Sequence, residues 1–169
     1  MDEPVKGLKA GCIVDAVMVL CPECRGAERP MSYWLLKTEP EEFSWTDQVA
    51  RGAKGEPWTG VRNFRARSNL KTMKKGEQAF FYHTGKEKQV VGIVEVIREA
   101  YPDPTDEGGV FVAVTVRSVK PLPEPVTLAA VKADPRLKEM ALTKYARLSV
   151  QPVTDREWKM VCVMGGVKE

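Results

Sequence analysis

Histidine is nearly absent from this sequence: His83 is the only one in 169 residues. A single imidazole excludes a histidine-rich metal centre and the H-x-E element of a zinc deaminase. Neither a G-x-S-x-G elbow nor a Walker loop occurs, which removes the common serine-hydrolase and P-loop chemistries. No apolar run reaches the roughly 18 residues that a membrane-spanning helix needs. Residues 12–20 come nearest and are broken by Asp15. Cysteine is scarce, with Cys12, Cys21, Cys24 and Cys162 only. Cys21-Pro-Glu-Cys24 has the spacing of half a zinc site, but completing it would take Cys12, Cys162 or His83, and no second close pair follows. Free thiols, no metal and no cofactor are therefore expected. The acidic opening does not fit an export signal, so neither a disulfide framework nor a membrane partner is expected. The expected location is cytoplasmic, or nuclear in a eukaryote.

What is present is an ordinary globular mixture, 43% hydrophobic and 29% charged, enough to bury a core in one domain. The net charge is only +3, so where the positive charge sits matters more than its sum. Residues 1–30 mix Gly, Pro, charge and one apolar patch without a period, and 25–30 read as a linker. They form an N-terminal extension to which no function is assigned. Either the extension is genuine or translation starts at Met31.

From Tyr33 the patterning is clear. Tyr33-Trp-Leu-Leu-Lys37 reads as a buried strand. Ser44 caps a short helix to about Arg51, ended by Gly52. Residues 52–60 read as a loop, 63–75 as a helix, and 78–83, 89–97 and 110–119 as strands. The last alternates through Val110, Val112, Val114 and Val116, and Pro121, Pro123 and Pro125 are expected to end it. Thr127 opens a further short helix, and Leu148 and Val150 mark a short strand before Pro152. Thr154-Asp-Arg-Glu157 has capping-box spacing for a helix to about Met164. Strands and short helices without βαβ repetition imply an α+β fold whose strands can curl into a small barrel flanked by helices.

The most informative segment is Trp58-Thr-Gly-Val-Arg-Asn-Phe-Arg-Ala-Arg67. As a helix from Asn63 it puts Ala66, Leu70 and Met73 on the side that faces a core. Phe64, Arg67, Lys71 and Lys74 share another side, and Arg62 and Arg65 add charge at the N-terminal end. A basic stripe beside an aromatic suits a phosphate backbone and an unstacked base; a solvated cationic face fits the same pattern. Trp58 reads equally as a cap on the core or as a stacking wall. Phe80-Phe-Tyr-His-Thr84 alternates, with Phe81 and His83 on one side and Phe80 and Tyr82 on the other. A pocket lining and a plain core strand both fit. Cys162 lies on an apolar helix face and reads as a buried thiol, not as a nucleophile paired with His83.

Five segments occur in one order: Tyr33-Trp-Leu-Leu-Lys-Thr-Glu-Pro40, the Trp58 to Arg67 motif, Gly76-Glu-Gln-Ala-Phe-Phe-Tyr-His83, Glu99-Ala-Tyr-Pro-Asp103 and Arg147-Leu-Ser-Val-Gln-Pro-Val153. Together they resemble the EVE domain family, with a domain over residues 31–165. The resemblance implies a PUA-like fold, a small mixed β-barrel with peripheral helices. It also implies a non-enzymatic module that accepts a modified base flipped out of RNA or DNA. Carried over residue by residue, the base pocket is Lys37, Thr38, Glu39, Trp58, Arg62, Asn63, Tyr82, His83 and Ser149. Trp58 and Tyr82 would stack on the base. Thr38, Glu39, Asn63 and His83 would read its edge. Arg65, Arg67, Lys71 and Lys74 would hold the nucleic-acid backbone. The same pocket leaves two other uses open: an enzyme acting on a nucleotide or nucleic acid through Glu39 or His83, and a small-molecule sensor.

Overall fold

Two short apolar runs, residues 34–36 and 79–82, are continuous where most strands alternate. The computed structural model, which describes residues 31–167, shows why. In chain order the elements are β1 (Tyr33–Thr38), α1 (Trp45–Ala50), β2 (Glu56–Trp58), α2 (Phe64–Thr72), β3 (Gln78–His83), β4 (Gln89–Pro102), β5 (Val112–Thr127), α3 (Leu128–Ala133), α4 (Ala141–Lys144), β6 (Val150–Val153) and α5 (Asp155–Met164). The strands form one six-stranded sheet in the order β2-β5-β4-β3-β1-β6. β1 and β3, both interior strands, pair in parallel, from Tyr33 opposite Gln78 to Thr38 opposite His83. A pair covered on both faces must be apolar on both. Trp34, Leu36, Ala79 and Phe81 enter one core, and Leu35, Phe80 and Tyr82 enter a second on the opposite face.

The first core is filled by α2. Ala66, Leu70 and Met73, the face expected from their spacing, are fully buried. The helix touches β6 at one end of the strand order and β5 and β4 towards the other. The sheet therefore curls around α2. Register shifts in the β4–β5 ladder, between Val90 and Gly92, Ile93 and Val94, Val96 and Arg98, and Arg98 and Tyr101, let these long strands bend. No pairing joins β2 to β6 among the described strands, so the curl stays open. The second core lies under α3, α4 and α5. There Trp158 is stacked between Tyr33 and Phe80, at 4.3 and 4.0 Å between ring centroids. The capping box expected at Thr154 and Glu157 is present.

The α+β class read from the sequence is the class of the structure. Several boundaries differ, for physical reasons. Pro121, Pro123 and Pro125 do not end β5, which runs on to Thr127. The pairing of β2 with β5 covers only Glu56–Val116 to Trp58–Val114. Beyond Val116 one side of β5 has no strand neighbour, so a missing N–H forfeits no ladder bond there. Pro152 likewise lies inside β6, which pairs only with β1. The expected 52–60 loop contains β2, and α2 stops at Thr72, short of Lys75. Val110 lies outside β5 and is exposed. The stretch 1–30, with Cys12, Cys21 and Cys24, falls outside the described residues.

Gly92 of β4 sits directly under Trp45. A Cβ there would meet the indole ring at 2.4 to 2.6 Å, below any van der Waals contact. Gly92→Ala is expected to lower stability by about 1–3 kcal/mol through overpacking. Urea denaturation checks this; an unchanged midpoint would mean that Trp45 moves aside without cost.

Candidate functional site

The open side of the curled sheet is not empty surface. Both ends of the strand order border one cleft of about 750 Å³, within the range of natural ligand pockets. One wall is β2 and the segment that follows it, from Glu56 to Asn63. The opposite wall is Ala146, Arg147 and Ser149, which lead into β6. The C-terminal end of β1, Lys37 to Glu39, with Glu42, Phe43 and Thr84, closes the back. Trp58 lines this cleft while only 7% of its surface is exposed. Its ring is held edge-on by Phe81, 5.6 Å away at 84°. The two readings of Trp58, core cap and wall, both describe it.

A buried carboxylate fixes the wall beyond Trp58. Asp103 accepts hydrogen bonds from Gly60 N at 2.9 Å, from Arg62 Nη1 at 2.8 Å, and from Thr105 N and Oγ1 at 2.8 and 2.7 Å. Arg62 also donates through Nη2 to the carbonyl and hydroxyl of Thr105, at 2.8 and 2.9 Å. Burial alone would push the Asp103 carboxyl up. The Arg62 guanidinium and the bonds from Thr105 and Gly60 outweigh it and hold the group at about 2, against an ordinary 3.8. Gly60 turns the chain at a φ of 76°, a conformation natural to glycine.

Both signs of charge line the cleft: Glu39, Glu42 and Glu56, the last paired to Arg51 at 2.8 Å, together with Lys37, Arg62 and Arg147. Lys37 donates to the carbonyls of Tyr145 and Ala146 at 3.1 and 2.9 Å, and burial lowers its pKa to about 8. The Arg65 guanidinium lies 4.4 Å from the centre of the Tyr145 ring.

The structure thus brings Lys37, Thr38, Glu39, Trp58, Arg62, Asn63 and Ser149 to one cleft. Tyr82 and His83 are not among the residues lining it. Tyr82 is buried in the core on the other face of the sheet. Alternation already forbids both from lining one wall, because successive strand residues point to opposite faces. His83 is buried too. Its Nε2 accepts from Trp45 N at 3.0 Å, so the ring hydrogen is on Nδ1 and is donated to Glu87. His83 is thereby a structural link between α1 and the β3–β4 turn. Cys162 is a buried thiol of α5. Two expected edge readers are partly committed: Thr38 Oγ1 donates to Phe43 O at 3.1 Å, and Asn63 Oδ1 caps α2 by accepting from Arg65 N and Ala66 N. Arg67, Lys71 and Lys74 do not line the cleft, and Lys74 pairs with Glu99 at 3.2 Å. Sequence reading missed Glu42, Glu56, Thr84, Arg147 and the Asp103 clamp. The last joins residues 41 apart, a separation that no local pattern reveals. Among the described residues there is no cluster suited to a metal ion, and no helix is long and apolar enough to cross a membrane.

The model of the EVE domain family matches residues 32–164. Thymocyte nuclear protein 1 of Gallus gallus is 37% identical over 170 residues, covering 80% of this chain and 70% of that protein. A Rhodopseudomonas palustris protein solved by NMR is 60% identical, with a TM-score of 0.78 over 82% of this chain and 96% of that one. Human THYN1 protein, solved in complex with DNA containing 5-methylcytosine, is 34% identical, with a TM-score of 0.74 over 82% and 99% of the two chains. A YTH domain of Zygosaccharomyces rouxii, 14% identical with a TM-score of 0.52 over 83% and 88%, shares the fold alone.

The Asp103 clamp gives the site a pH signature. The folded carboxyl titrates near 2 and the ordinary one near 3.8. Its contribution, on the order of 2 kcal/mol, is therefore present above about pH 4 and lost as pH falls towards 2. Urea midpoints of wild type and Asp103→Asn are expected to differ most at about pH 5 and above and to approach each other as pH falls from about 4 to 2. A difference that does not change with pH would refute the clamp.

Proposed function

The chain belongs to the EVE domain family, and on that premise we propose that it is a nucleic-acid-binding reader that accepts a modified, flipped-out base of RNA or DNA and leaves it unchanged. The observation that carries this reading is the cleft at the gap in the sheet. It is open to solvent, holds about 750 Å³, and combines an indole wall with carboxylates and cations. The complex of a 34% identical relative with DNA containing 5-methylcytosine supports a methylated pyrimidine as the first ligand to test.

The roles follow from the chemistry. Extruding a base costs a few kcal/mol of stacking and pairing, and an aromatic contact returns about 1–3 kcal/mol of it. Trp58 provides that contact. Glu39 and Glu42 can accept from an exocyclic amino group, the donor that cytosine presents on its edge. Ser149 can both donate and accept. Arg147 meets phosphates, and Lys37, at the back of the cleft, can donate to an acceptor of the bound nucleotide. Arg62 serves mainly to hold the wall in place. His83 uses both ring nitrogens elsewhere, so Glu39 has no imidazole partner in the cleft. Binding without chemistry is the reading this supports.

Titration of duplexes and single strands, with and without one 5-methylcytosine and followed by Trp fluorescence, tests the proposal. Methylated DNA is expected to bind at least several-fold more tightly than unmodified DNA, and an RNA counterpart is titrated alongside. Arg147→Glu should weaken every oligonucleotide by about tenfold and flatten the salt dependence. Glu39→Gln should reduce the preference for the modified base and leave the salt slope unchanged. No binding by any oligonucleotide would sink the reading, as would conversion of the base on long incubation.

Lys37 adds a pH test. Burial brings it to about 8, so it loses its charge as pH rises from about 7 to 9. Affinity is expected to fall across that window in wild type and to stay level in Lys37→Gln.

A further inference from the structure

Phe64 is the residue that the fold does not explain. It is the first residue of α2 and 65% exposed. The helix does not need it as a cap, because Asn63 fills that role. It does not stand alone either. Its ring lies 5.3 Å from Phe111, and the Arg62 guanidinium lies 5.4 Å from the same Phe111 ring. Phe111 is anchored in turn: its N–H donates to Asp106 at 2.7 Å and its carbonyl accepts from Asp103 N at 3.1 Å. An exposed aromatic is thus backed by a second aromatic on a clamped loop. Arg62 and Asn63 line the cleft, and the Phe64 Cα is about 3.8 Å along the chain from that of Asn63. Phe64 therefore adjoins the cleft in the chain and touches the Phe111 ring, which Arg62 of the cleft wall also faces, without itself lining the cleft. Arg65 follows it in the chain, so positive charge borders the aromatic on both sides.

We propose that Phe64, backed by Phe111 and Arg62, stacks on the base next to the extruded nucleotide and so adapts this module to duplex nucleic acid. The inference rests on the reading above. Flipping a base out of a duplex leaves its neighbours with a bare face and a gap. Apolar side chains inserted at base steps fill such gaps in other nucleic-acid-binding proteins. A single strand has no such gap, so it gains little from the same side chain. The neighbouring Arg65 suits a polyanion and would repel a basic partner.

The experiment compares wild type, Phe64→Ala and Phe64→Trp on two ligands: a duplex with one 5-methylcytosine beside a 2-aminopurine, and the same modified strand alone. Thermal melting of each protein confirms folding, which the exposure of Phe64 makes safe. Phe64→Ala is expected to lose about tenfold in duplex affinity, the scale of one base–aromatic stack, and less than about twofold for the single strand. Phe64→Trp is expected to retain duplex affinity. Wild type should change the 2-aminopurine fluorescence on binding, and Phe64→Ala should change it less. Equal losses on both ligands, or no loss on either, overturn the inference. The second outcome would point to a different partner for this patch. If wild type binds neither ligand, the reader function fails first. If wild type binds both and Phe64→Ala binds the duplex as well as wild type does, only the present inference fails.

Discussion

Everything at the working face depends on the fact that α2 is too large to let the sheet close. Ala66, Leu70 and Met73 occupy the inside of the curl, against Phe81, Leu36 and the valines of β4 and β5. Buried side chains at native density leave no slack. The ends of the sheet are therefore held apart, and β2 never reaches β6. The cleft is that separation. A tighter sheet would have shared one more ladder of hydrogen bonds and would have had nowhere to place a ligand. The same helix that holds the gap open also sends Asn63 and the segment before it into the cleft wall. Packing and function are thus two faces of one element.

A gap kept open by packing still needs edges of fixed shape. The Asp103 carboxylate meets that need by drawing Gly60, Arg62 and Thr105 together. These groups come from two loops, one after β2 and one after β4. A buried carboxylate with this many donors is stable only while all of them are present. The arrangement is therefore cooperative, and the mouth of the cleft holds its shape before any ligand arrives. Such preorganisation lowers the ordering cost of binding. On the back wall, His83 does comparable work by tying α1 to the β3–β4 turn.

The sequence revealed much of this, but unevenly. Elements whose identity rests on local pattern were legible: the strands at 33–37 and 78–83, the Ser44 cap, the Thr154 capping box, and the buried face of α2. The EVE resemblance covered the domain that the family model matches, residues 32–164. Elements that depend on position in the sheet were not legible. Prolines in β5 and β6 are harmless only because those stretches lie at edges, and β2 looks like a loop because its three residues, Glu56–Trp58, include Pro57. In the site, residues adjacent to strong motifs came together as expected. Tyr82 did not, because alternation turns it into the opposite core, and His83 did not, because it is buried with both ring nitrogens taken by Trp45 N and Glu87. Arg62 was legible as a cation, but its partner Asp103 could not be read from a one-dimensional string.

The distribution of charge completes the argument about ligand class. A net charge of +3 is too small for bulk attraction to dominate binding to a polyanion. Lys37, Arg62 and Arg147 act locally, in a cleft that Glu39, Glu42 and Glu56 also line. A lining of balanced sign suits an uncharged base with donor and acceptor edges better than a phosphate, whose charge would meet the carboxylates as well as the cations. In the proposed mode, the base therefore lies inside against Trp58 and the backbone stays outside. A small anionic metabolite would find no wholly cationic lining, which disfavours the sensor reading on the same electrostatic ground.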